Sequence, residues 1–295
     1  MNLKRRIMIK KMFTLSAFIV IIVVSSCISC SKNDTIIGVN PSDTNSLEAY
    51  LKANADYVHN INGFYIVGSA TKPKEASPST TTGKDIFDHS IRLFSSFLDQ
   101  NNDGIIDDDK KELNKWLAQK LVFISGPLSM VDKISESNQV AGKGLYGMSM
   151  QTDNWPYVKG YNGKGWTINK LISSTWRPNN MNALWEEVFH TITEAYSRVD
   201  SEFKFTTGGA LRTYMDDDIN AKTYDISEQN AAENGNYDKV TAVNEYIHQI
   251  WAINFAGQNQ SLNSHQKKAL EFMKKKNVPM SVNANYSKML GTKIK

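Results

Sequence analysis

The 295-residue chain carries two cysteines, Cys27 and Cys30, and none beyond them. A domain built from the later residues can form no internal disulfide, so its core or a bound metal must hold it. Long hydrophobic runs are also missing. The most apolar stretch, Phe13 to Val24, is twelve residues long, too short to span a bilayer comfortably. The later chain has no basic tract with interleaved aromatics, which argues against a nucleic-acid partner. It has no Gly-rich phosphate loop, no nucleophile elbow, no Cys–His arrangement and no internal repeat.

What is present begins with a leader. Lys4, Arg5, Arg6, Lys10 and Lys11 form a basic segment ahead of the apolar stretch, the order of a secretory signal. These five charges exceed the formal net charge of +4, so the rest of the chain sits near −1. Val24-Ser25-Ser26-Cys27 and Ile28-Ser29-Cys30 follow, and an apolar residue, small residues and a cysteine resemble the lipobox of bacterial lipoproteins. Cys27 has the better upstream match and Cys30 the more polar downstream context. The resemblance implies acylation of one of them and a membrane partner through that lipid. It places the protein in the bacterial cell envelope, at the outer membrane, facing the periplasm or the exterior. On this reading residues 1–26 are the signal peptide, 27–46 a polar tether, and 47–295 one globular domain.

Hydrophobic spacing predicts an α+β fold dominated by helices. Helices are expected over 46–59, 84–98, 108–121, 181–199, 207–221, 239–255 and 264–276, the last capped by Ser264. Strands are expected at 64–67, 122–124 and 145–150, and a breaker-rich loop at 71–83.

Between two of those helices lies Asp99 to Lys110, DQNNDGIIDDDK. Asp99, Asn101, Asp103 and Asp107 place oxygens at positions 1, 3, 5 and 9, Gly104 allows the turn at position 6, and Ile106 is an apolar anchor at position 8. Residues 84–121 resemble an EF-hand, a helix-loop-helix calcium unit. That resemblance implies Ca²⁺ held by Asp99, Asn101, Asp103, the Ile105 carbonyl and Asp107. The chain departs from it at position 12, where Lys110 replaces the bidentate acid.

A second constellation lies in LWEEVFHTITEAY, where Glu186, His190 and Glu194 share one helical stripe. Glu186-Glu187-Val188-Phe189-His190 resembles the HExxH helix of zincin metallopeptidases, with glutamate for the first histidine. By that resemblance Glu186 and His190 would bind Zn²⁺ or another divalent metal, and Glu187 would be the catalytic general base. Glu245, in Asn244-Glu245-Tyr246-Ile247-His248, would be the third ligand, as in gluzincins. The nitrogen and oxygen donors suit zinc, manganese or iron.

Lone histidines at 59, 89 and 265 read as packing or surface residues, and Asp216-Asp217-Asp218 as a solvated helix face. Trp155, Tyr157, Tyr161, Trp166 and Trp176 offer rings that could stack on a carbohydrate or grip a peptide. Three functions follow: a lipid-anchored, secreted calcium-binding protein, a divergent zincin-like metal-dependent hydrolase, and a carbohydrate- or peptide-binding surface module.

Overall fold

The structure is a computed structural model that describes residues 42–73, 76–135, 149–151, 157–158, 183–232, 234–282, 286 and 288–295. Cys27, Cys30 and the rings at 155, 161, 166 and 176 lie outside the described residues. The elements run α1 (Ser42–Asn54), β1 (Tyr57–Ile61), β2 (Phe64–Gly68), β3 (Ala76–Ser77), α2 (Gly83–Leu98), α3 (Lys111–Lys120), β4 (Val122–Gly126), α4 (Leu128–Ser135) and β5 (Ser149–Gln151). They continue with β6 (Tyr157–Val158), α5 (Ala183–Val199), α6 (Ala210–Asn220), α7 (Ser227–Ala232), α8 (Lys239–Phe255), α9 (Ser264–Lys275) and β7 (Thr292–Lys293). The fold is the helix-dominated α+β class.

One mixed sheet has the order β5-β4-β2-β1-β7. β4 lies parallel to β2 and β5 parallel to β4, while β1 is antiparallel to both β2 and β7. The central strands β2 and β4 are buried on both faces. Phe64 and Ile66 of β2 and Phe123 of β4 join the larger core, and Tyr65, Val67, Val122 and Ile124 join the smaller one. This is the period-two alternation of a strand, read on two buried faces. Leu47 and Leu51 of α1 and Met130 and Ile134 of α4 cover the smaller side. On the larger side α2 and α3 pack on β2, α5 packs on both of them, and α8 packs on α5.

The expected helix over 46–59 is corrected at both ends. It starts at Ser42, inside the stretch read as tether, and stops at Asn54, and His59 lies in β1. Asn62 and Gly63 end that strand with φ of 49° and 93°, the two left-handed residues of a tight hairpin turn. Asn60 Oδ1 accepts from Gly63 N at 2.6 Å and closes the turn. α2 begins as expected, with Thr82 and Asp85 forming a reciprocal capping box. α3 starts later than expected, because Asp108–Lys110 forms a 3₁₀ turn first. The cap of α9 is Asn263 rather than Ser264, since Asn263 has the extended backbone and pairs reciprocally with Gln266. The short helices α4 and α7 were not anticipated.

His59 fastens the C-terminal segment to β1. It is buried, and its Nε2 lies 2.6 Å from the Leu290 carbonyl, so that nitrogen carries the hydrogen. Nδ1 is buried with no partner among the described residues. Burial pushes the imidazole pKa below its ordinary value, with the Leu290 bond opposing the shift. The folded state therefore resists a proton that the unfolded chain accepts. Stability should be full above a pH of about 6.5 and should fall as pH drops through that value toward the lower folded pKa. Thermal melts across pH 5–8 should show this slope in the wild type, and His59→Gln should reduce it by the His59 share, while the buried His190 and His248 keep theirs. An unchanged slope in the variant would assign the effect to another group.

Candidate metal centre

Two segments were expected to hold metals, and the structure treats them differently. In the loop between α2 and α3, the oxygens at alternate positions are turned onto backbone N–H groups. Asp99 is buried, and its carboxylate accepts from Gly104 N at 2.8 Å, Asp103 N at 3.2 Å and the Tyr286 hydroxyl at 2.8 Å. Asn101 Oδ1 accepts from Asp103 N, Asp103 Oδ1 from Ile105 N, and Asp107 Oδ2 from Gln100 N. Asn102 and Gly104 supply the left-handed turns, with φ of 60° and 93°. Ile106 anchors the loop in the larger core, while the Ile105 side chain is exposed. Lys288 donates to the Asp103 carbonyl at 3.0 Å.

Position 12 is occupied by a buried lysine. The Lys110 ammonium donates to the Asn277 carbonyl at 2.9 Å and to Asp109 at 2.6 Å. It also sits 5.7 Å from the centre of the Tyr196 ring on α5, a cation–π distance. The loop is thus wired into the C-terminal segment through Lys110, Tyr286 and Lys288.

The second segment does bring its residues together. Glu186 and His190 on α5 and Glu245 on α8 meet, and His248, one turn beyond Glu245, joins them. One ligand atom from each of the four lies within 4.8 Å of the other three. Among the described residues no other group of three or more His, Cys, Asp or Glu side chains converges in this way.

Helix geometry explains the meeting. Glu186 and His190 are four residues apart on α5, and Glu245 and His248 three apart on α8, so each pair shares a face. The helices run antiparallel. Thr193 Oγ1 donates to Asn244 Oδ1 at 2.6 Å at one end, and Phe189 stacks on Trp251 at 4.6 Å toward the other. Between those contacts His190 Nε2 stands 3.8 Å from Glu245 Oε1, and His248 Nδ1 stands 3.7 Å from Glu186 Oε1. The two imidazoles cross edge to face with centroids 5.2 Å apart. Phe189, Trp251 and Trp185 form an apolar wall against the cluster.

Both contacts are too long for hydrogen bonds. His190 Nε2 is buried and finds no hydrogen-bond partner among the described residues. Burial pushes the His190 pKa down to about 3 and holds that of His248 well below its ordinary value, so both rings are neutral, the state that binds metal. Glu187 is buried beside the cluster with one carboxylate oxygen lacking a partner among the described residues. Burial first, and the Glu245 carboxylate second, push its pKa up to about 8. Burial likewise raises Glu245. Neutral imidazoles, paired carboxylates and an orphaned buried nitrogen fit a divalent ion.

The remaining expected residues lie elsewhere. Glu194, on the same stripe, accepts from Arg198 and takes no part in the cluster. Asp218 is not on a solvated face. It is fully buried and accepts from the Tyr246 hydroxyl at 2.7 Å, from Asn263 Nδ2 at 2.9 Å and from Thr223 at 2.9 Å. His265 Nδ1 lies 3.1 Å from the same carboxylate, so Asp218 ties α6, α8 and α9 together. His248 was missed, although its three-residue spacing from Glu245 was legible.

Comparison with family models, curated proteins and solved structures gave no match to this chain.

Proposed function

We propose that this chain is a lipid-anchored protein of the bacterial cell envelope and a zincin-like, metal-dependent hydrolase. One observation carries the reading: Glu186, His190, Glu245 and His248 converge, with Glu187 buried beside Glu245. A divalent ion such as zinc, bound there, would polarise a substrate carbonyl and make water more acidic. Glu187 has a proton affinity near neutrality and is the group to take that proton and pass it to the leaving atom. The Phe189–Trp251 stack walls one side of the centre with apolar rings, which strengthens every charge interaction within it. Elemental analysis of the purified full chain should find one equivalent of zinc, manganese or iron, and His190→Ala should release it. A wild-type protein that takes up none of these ions even when supplemented would sink the reading.

Calcium at residues 99–107 is a second reading. The alternate oxygens and the Asn102 and Gly104 turns favour it, and Lys110 at position 12 keeps the affinity low.

The anchor is tested separately. With Cys27 and Cys30 both changed to serine, the protein should move from the membrane to the soluble fraction, because several acyl chains anchor firmly and none leaves no hold. Retention of the double variant in the membrane would refute the lipid.

A further inference from the structure

The centre presents four candidate ligands, whereas a hydrolytic zinc site uses three and keeps the fourth position open. We infer that His190, Glu245 and His248 bind the metal and that Glu186 stands behind His248 as its positioning residue. This rests on the metal-centre reading above. It makes the chain a site in which the second imidazole has moved from α5 to α8.

Position is the first argument. The HExxH pattern needs a histidine where α5 has Glu186, and the chain supplies the imidazole from the facing helix instead. His248 reaches the cluster because it lies three residues after Glu245 on the same face of α8.

The second argument is which atoms meet. Glu186 Oε1 approaches Nδ1 of His248, at 3.7 Å. A histidine that binds a metal through Nε2 carries its hydrogen on Nδ1, and a carboxylate there fixes the tautomer and the ring and strengthens the donor. A closure of about half an ångström makes this contact a hydrogen bond. His190 has no such arrangement toward Glu245. There Nε2 itself faces the carboxylate at 3.8 Å, close to the edge of about 3.4 Å that two ligands at 2.0–2.2 Å make around a tetrahedral ion.

Charge agrees. Two imidazoles and one carboxylate are the donor set of known zinc hydrolases. If Glu186 also bound, it would fill the open position and crowd a third carboxylate against Glu245 and Glu187.

X-ray absorption at the zinc edge counts imidazole ligands, and it can be read on the full chain loaded with one equivalent of zinc. Two imidazoles are expected in the wild type. Glu186→Gln should keep one zinc and two imidazoles, with affinity lower by about 10–100-fold in chelator competition, the usual effect of losing such a support. His248→Ala should show one imidazole and a far larger loss of affinity. A wild type that binds zinc through one imidazole overturns the assignment while leaving the metal centre intact. So does a Glu186→Gln protein that loses zinc as completely as His248→Ala. A wild type that binds no zinc overturns both the centre and this assignment.

Discussion

Glu187→Gln should leave the bound metal in place and lower hydrolysis by about 10²–10⁴-fold, the usual worth of a positioned general base. The two side chains are nearly isosteric, so the packing of α5 changes little. The carboxylate that glutamine removes is one the fold keeps at a cost. It is buried, one of its oxygens has no partner among the described residues, and its pKa is raised by burial and by Glu245. A purely structural Glu187 would be replaced by glutamine without loss, and stability would hold or rise. Loss of turnover with unchanged metal content and an unchanged thermal midpoint therefore marks it as catalytic. A quenched-fluorescence peptide library is the first probe, since the helix resembles that of metallopeptidases. Equal turnover in both proteins would remove Glu187 from the chemistry. No turnover in the wild type, with metal bound, would leave a metal-binding protein that is not a peptidase.

The sequence carried the Glu–His cluster further than it carried the boundaries of the elements. Glu186, His190 and Glu245 were legible because helix periodicity places side chains on one face at fixed spacing, and α8 spans the residues its hydrophobic pattern predicts. His248 lay in the same short segment. It was passed over because the motif used for comparison asks its second helix for a carboxylate alone. The limits of α1 were misplaced because Val58 and Ile61 continue an apolar pattern through a strand, and only the Asn62-Gly63 turn declares the hairpin. Asp218 was unreadable as a buried group. Its partners Tyr246, Asn263 and His265 come from elements 28 to 47 residues away, and a run of three aspartates looks solvated from local sequence alone. The helices on either side of the EF-hand-like loop were legible, although α3 starts at Lys111 rather than Asp108. That Lys110 would be buried, held by Asn277 and Tyr196, depends on the distant return of the C-terminal segment.

That burial changes what Lys110→Glu should do. In chelator the substitution should cost about 2–4 kcal/mol, because it strips a charged donor from the Asn277 carbonyl and places an anion beside Asp109. With calcium the sign of the local electrostatics reverses. Glutamate at position 12 restores the bidentate ligand and removes a cation from beside the loop, so Asp99, Asn101, Asp103, Asp107 and the Ile105 carbonyl could close on an ion. Saturation at a hundred times the dissociation constant would return about 2.7 kcal/mol, enough to offset most of the loss. The variant should therefore melt well below the wild type in chelator and approach it in millimolar calcium, while the wild type itself moves only slightly. The wild type has reason to move little. The Asp99 carboxylate already accepts from Gly104, Asp103 and Tyr286, and ion binding must compete with a loop that is satisfied without it. If calcium stabilises Lys110→Glu no more than the wild type, the alternate oxygens serve the turn alone, and Lys288 on the Asp103 carbonyl is the cation the loop keeps.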